Sequence, residues 1–150
     1  MTGVLIFERG PMDETVELVP VKFEKLMQSR SYTCVVLAAE DKKFAIYTDP
    51  SSGRSMQLFL ASTEKPRPYT HDLMKRIFRG LEIKVKHVVI NDLQDTIYFA
   101  RIFLEQQRGD LLHIVEIDAR PSDSITLALL HKVPVYCTRG VLEKTIPYAE

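Results

Sequence analysis

Between Glu82 and Asp118 hydrophobic and polar residues alternate with period two in three successive runs, "EIKVKHVVI", "TIYFARIFLE" and "LLHIVEID". Alternation of this kind sends successive side chains to opposite faces of an extended chain, so the pattern predicts a three-stranded meander with one face covered and the other partly wet. The connecting "NDLQD" and "QQRGD" carry turn residues. Upstream, "YTCVVLAA", the polar "EDKK" and "FAIYT" predict a β-hairpin. "ETVELVPVKFEKL" is strand-like in content, and Pro20 suits an edge strand because proline donates nothing to a ladder. The period then changes. In "YTHDLMKRIFRGL" Leu73, Ile77 and Leu81 form an apolar stripe at helical spacing, with Thr70 as the expected N-cap, Asp72 in the first turn and Gly80 as the stop. A second helix is expected over about Asp123 to His131, and a short one in "MQLFLAS" after a "DPSSGRS" loop. "TEKPRPY" reads as a proline-stiffened extended connector, and "PVYC" as a closing strand. Strands with segregated helices make an α+β fold: a mixed or antiparallel sheet meander with short helices in a single compact domain. Residues 1–13 read as a loosely attached lead broken at Gly10-Pro11, and residues 14–150 as the domain.

Charge narrows the range of partners. Lys+Arg and Asp+Glu are both 20, so there is no basic excess of the kind that grips nucleic acid in bulk. Any nucleic-acid contact is then local or transient, as an enzyme makes with its substrate. Cys34 and Cys137 match no metal-ligand spacing and sit in apolar runs, where a thiol behaves as a small buried hydrophobe. The opening residues have only a short apolar run with no basic lead-in, which fits neither a signal peptide nor a membrane span; a cytoplasmic protein with no membrane partner is expected.

The densest candidate chemistry lies in "EIDARPSDSITLALLHKVPVYC", where Asp118, Arg120 and Asp123 fall within six positions between a buried strand and a buried helix. Ser122 and Asp123 have the character of a helix cap and a first-turn acid, with Pro121 favoured at a helix start. Asp118 and Arg120 have no such local account; they either pair to pin the turn or face a cleft. His71 suits a general base or a metal ligand as well as an ordinary hydrogen bond. Asp92 and Asp95 flank an expected hairpin turn. Arg101 occupies an apolar strand face, where a guanidinium needs a carboxylate partner, and Asp118 and Asp95 are the candidates. Lys65, Arg67, Lys75, Arg76 and Arg79 cluster around the proline connector and the helix after it, as a solvated helix face or as a local phosphate-binding surface. His87, His113 and His131 show no ligand spacing and read as structural.

Taken together, "RPYTHDL", "VVINDLQDTIYFARIFL", "VEIDARPSDSITLALLHKVPVY" and "VLE" resemble the bifunctional nuclease domain family, formerly a domain of unknown function, of bacteria and plants. The likeness runs from about Val16 to Glu143. It implies a compact α+β fold, homodimers, and nuclease activity on DNA and RNA, with nucleic acid as a transient substrate. The family's motif positions fall here on His71, Asp72, Asp92, Asp95, Arg101, Asp118, Arg120, Ser122 and Asp123; His71, Asp92, Asp118, Arg120 and Asp123 are the catalytic candidates, and Arg101 and Ser122, with Arg67 of the basic cluster, the substrate-binding candidates. Phosphodiester hydrolysis needs an activated water and neutralisation of charge on the phosphoryl oxygens, which carboxylate-held Mg²⁺ or Mn²⁺ and an arginine clamp supply. Asp118 and Asp92 are the expected metal ligands and Arg120 the clamp. The chain departs from the family pattern at Ser52 and Arg54, where acidic residues are usual; Asp49 is the only acid nearby. A non-catalytic dimeric interaction or regulatory module that keeps the fold is the alternative reading.

Overall fold

The computed structural model describes residues 2–7 and 10–149, the first stretch as backbone only. In chain order its elements are β1 (Thr2–Phe7), β2 (Leu18–Gln28), β3 (Thr33–Ala39), β4 (Lys42–Thr48), α1 (Pro50–Leu60), α2 (Thr70–Gly80), β5 (Ile83–Gln94), β6 (Ile97–Arg108), β7 (Leu111–Ala119), α3 (Pro121–His131), β8 (Val135–Thr138) and α4 (Arg139–Lys144). The strands form one mixed sheet in the order β1-β7-β6-β5-β8-β2-β3-β4. The α+β architecture, the antiparallel β5–β6–β7 meander and the β3–β4 hairpin are as the alternation predicts. Within the lead, residues 2–7 pair in parallel with β7 at the sheet edge. No helix among the described residues is long and apolar enough to cross a membrane.

Strand β2 lies inside the strand order, yet its proline is accommodated. Leu18 to Val21 pair with β8, and Lys22 to Gln28 pair with β3 after a bulge between Phe23 and Lys25. At Pro20 the second neighbour has not yet begun, so that flank needs no donor, which is the edge-like setting that proline requires.

Two apolar clusters hold the layers together, and α3 belongs to both. Ile125 packs with Val35, Leu37, Phe44, Met56 and Ile90. Leu127 and Ala128 pack with Val85, Val88, Ile102 and Leu104. A helix apolar on every side must be buried on every side, and its polar members satisfy themselves on the backbone: Ser124 Oγ donates to the Arg120 carbonyl (3.0 Å) and Thr126 Oγ1 to the Ser122 carbonyl (2.6 Å). Both cysteines are free and buried; burial pushes the Cys137 thiol up to about 11.

Several local expectations are corrected. "DPSSGRS" is no loop: Asp49 caps α1 by accepting from Ser52 N–H (2.8 Å), and Pro50 takes the first helical position, where its missing donor costs nothing. Gly53 is buried where α1 meets β3; a Cβ there would collide with the Thr33 side chain. Thr70 is the first residue of α2 and Tyr69 the cap, because Asp72 accepts the Tyr69 N–H (2.8 Å). The stripe Leu73, Ile77 and Leu81 faces outward, 52, 48 and 55% exposed; Met74 and Phe78 make the contact with the core instead. Ser122 is not a cap either. It is buried in the first turn of α3, and Arg120 holds the cap position in extended backbone. Asp92 lies within β5 beside a bulge, whereas Asp95 makes the turn with φ 56°.

Candidate active site

Helices α1, α2 and α3 each start at the same cleft. Its lining takes Asp49, Ser51, Ser52, Arg54 and Ser55 from the beginning of α1, Tyr69, Thr70 and His71 from α2, and Arg120 and Asp123 from α3, around a volume of about 1110 Å³. Each of the three helices is 11 residues long, so each presents the positive end of a developed macrodipole. Each also carries an acid near that end, Asp49, Asp72 or Asp123.

Asp123 is the hub. Its Oδ1 lies 3.2 Å from His71 Nε2, across 52 residues of sequence. Arg120 donates to both of its oxygens, from Nε to Oδ2 at 3.0 Å and from Nη2 to Oδ1 at 3.2 Å. The hydrogen bond from His71 is the first cause, and the Arg120 fork a further one, that holds the Asp123 carboxyl at about 2 against the opposing effect of burial. Asp123 is therefore ionised at any working pH. The Arg120 guanidinium is pushed up by the hydrogen bonds to Asp123 and by the nearby charge of Asp49. Asp49 in turn is held below its ordinary range by Ser52, whose Oγ donates to Oδ2 at 2.7 Å and whose N–H donates to Oδ1. His71 sits edge-on to Phe59 with ring centroids 6.3 Å apart, so one side of the imidazole is packed.

A carboxylate facing Nε2 decides the tautomer of a neutral histidine. Asp123 accepts from Nε2–H, leaving the lone pair on Nδ1. A base positioned by a carboxylate, with arginines beside it, is a constellation suited to moving a proton next to an anion.

The structure thus brings His71, Arg120 and Asp123 together and leaves the other sequence candidates elsewhere. Arg101 is buried at 4% exposure on the sheet face away from α3. Its partner is neither Asp118 nor Asp95 but Glu116: Arg101 Nη1 donates to Glu116 Oε2 at 3.1 Å and to the Gly10 carbonyl at 2.7 Å, while Met12 N–H donates to the same Glu116 oxygen at 3.2 Å. Asp118 stands in register with Arg101 across β6 and β7, with one carboxylate oxygen buried and unbonded among the described residues. Arg120 pairs with Asp123 and not with Asp118. Asp92 accepts from Leu93 N–H and Gln94 and approaches Lys144 at 3.9 Å. Ser122 is buried inside α3's first turn, and Arg67 is exposed on the connector between α1 and α2.

The expected metal ligands are not gathered at this cleft. No group of three or more His, Cys, Asp or Glu side chains able to hold a metal is present among the described residues. Asp118 and Asp92 do not line the cleft.

Three parts of the picture escape sequence reading. Glu116 had a usable signal, since period two places it on the same face as Asp118. The cleft wall formed by Asp49, Ser52 and Arg54 coincides with the positions where the chain departs from the family pattern. Tyr69 carried no signal beyond its place before a helix.

Comparison with known proteins adds to this geometry. A family model described as the bifunctional nuclease domain matches residues 35–148. An uncharacterized protein of Mycobacterium tuberculosis is 30% identical over 127 residues, spanning 85% of this chain and 73% of its own length. Bifunctional nuclease 1 of Oryza sativa subsp. japonica is 24% identical over 120 residues, spanning 78% of this chain and 36% of its own length. Bifunctional nuclease 2 of the same plant is 33% identical over 75 residues, half of this chain.

Proposed function

The chain belongs to the bifunctional nuclease domain family, and from that premise we propose that it hydrolyses phosphodiester bonds of DNA or RNA in the cleft where α1, α2 and α3 begin. The observation that carries this reading is the His71–Asp123–Arg120 array opening into that cleft.

The roles follow from the geometry. Asp123 fixes the His71 tautomer and stabilises the imidazolium that forms. His71 Nδ1 takes a proton from water as the water oxygen attacks phosphorus. The bond from phosphorus to the departing sugar oxygen breaks, and the imidazolium returns the proton to that oxygen. Arg54, Arg120 and the helix N-termini offset charge on the non-bridging oxygens. General acid–base catalysis of this kind contributes about 100- to 10,000-fold. No step here passes through a metal ion. Zero net charge suits a substrate held at one local site and released.

Incubation of purified protein with single- and double-stranded DNA and RNA, beside Asp123→Asn and His71→Gln, tests the proposal. Cleavage by the parent and loss in both variants is the expected result. No cleavage, or equal cleavage by all three, removes the nuclease reading and leaves the non-catalytic module. A parallel arm with EDTA and added Mg²⁺ or Mn²⁺ decides the divalent-metal expectation by itself.

A further inference from the structure

From the rim of the cleft an uncommon surface runs along α2. Tyr69 lines the cleft yet keeps 43% of its surface exposed, and Leu73 and Ile77 follow it at intervals of four, both about half exposed. Residues four apart share one helix face, and Arg76, three beyond Leu73, borders that face. Arg54, Arg67 and Arg76 are exposed and have no carboxylate partner among the described residues. Arg101, Arg120 and Arg139 are tied down, to Glu116, to Asp123, and to Glu17 and Glu40, whereas Arg79 on the same helix, and Arg30 and Arg108 farther off, are exposed like the first three. The Tyr69 ring is also held in place. Lys65 Nζ lies 5.7 Å from its centroid and 4.9 Å from that of Phe59, and is fixed by Asp72 at 3.3 Å.

We infer that Tyr69, with Leu73 beside it and Arg67 and Arg76 flanking, is a stacking track for unpaired nucleobases, making single-stranded nucleic acid the favoured substrate of the cleft. The inference rests on the nuclease reading of that cleft. A pre-positioned, half-exposed aromatic ring beside unpaired cations is what a single strand needs: a flat surface for a base and positive charge for the backbone on either side. A duplex keeps its base faces stacked on each other and gains nothing from the ring. A second copy of this chain is a poorer occupant, because a two-fold contact on this stripe would gather Arg67, Arg76 and Arg79 of both copies into one like-charged interface.

Fluorescence anisotropy with a labelled 20-nucleotide single strand, and with its duplex at the same ionic strength, tests this on the full chain. Tyr69→Ala is expected to weaken single-strand binding roughly 5- to 100-fold, the range seen when one stacking aromatic is removed. Tyr69→Phe keeps the affinity, and duplex binding changes little in either variant. Arg76→Ala is expected to lower the slope of log affinity against log salt by about one. Equal affinity of the parent for single strand and duplex, or no change in Tyr69→Ala, overturns the inference even if cleavage is seen. Single-strand binding without cleavage upholds the track and removes the nuclease reading. Should Leu73→Asn dissociate a dimer in sedimentation velocity and leave oligonucleotide affinity intact, the stripe belongs to a second copy and the inference falls.

Discussion

Helices α2 and α3 have the same length and begin at the same cleft, yet they are built on opposite terms. Helix α3 buries Ser122, Ser124, Ile125, Thr126, Leu127 and Ala128, and joins both apolar clusters. Helix α2 buries none of its residues fully and turns its apolar stripe outward. One is a scaffold whose geometry the whole core determines; the other is a wall that rests on it through Met74 and Phe78. The candidate site spans the two, since Asp123 stands on the scaffold and His71 on the wall. Rigid anchoring of the carboxylate and looser anchoring of the imidazole is a sensible division, because the orienting group must not move while the wall meets a substrate.

The sharpest way to break the bridge is Asp123→Asn. Losing the acceptor that fixes the His71 tautomer is expected to lower cleavage by about 100- to 10,000-fold, read as initial rate on a single-stranded substrate. The scaffold is probed next. Ile125 is almost fully buried, and Ile125→Ala is expected to cost about 2–5 kcal/mol in urea unfolding.

A smaller effect separates the two helices by pH. The Asp123 carboxyl is lowered from its ordinary 3.8 to about 2 in the folded protein. A depressed folded value gives stability that is present above about pH 4 and lost as the pH falls toward 2, so the unfolding midpoint is expected to drop in that window. Asp123→Asn is expected to flatten the drop. The smallest effect is on the wall: Leu73→Asn, at an exposed position of α2, is expected to change stability by less than about 0.5 kcal/mol in the same unfolding experiment. A large loss there would mean that α2 is covered in solution.

How much of this was legible depended on the kind of signal. The meander, the hairpin and α3 follow from periodicity, because burial on one face or on all faces writes itself into the order of apolar residues. The start of α1 did not, since proline and serines suit a loop and a helix N-terminus equally. Helix α2 misled for a physical reason: amphipathic spacing reveals that a helix has an apolar side, not that the side is covered. Within the site, the motifs mark His71 and Asp123 one by one, but nothing at a separation of 52 residues indicates that they meet. Arg101 needs a carboxylate, as its strand face demands, but the expected partners Asp118 and Asp95 are wrong: the partner is Glu116, and side-chain reach of that kind is not encoded in the sequence.

Strand β2, which pairs with β8 through its first residues and with β3 through its last, has a bearing on how the protein opens. Because one continuous strand serves both ladders, neither half of the sheet unzips past Val21 or Lys22 without disturbing the backbone that anchors the other. The β2 amides that donate into the β8 and β3 ladders then exchange with solvent together with those of the β3–β4 hairpin, in one slow cooperative class, whereas α2 exchanges sooner and alone.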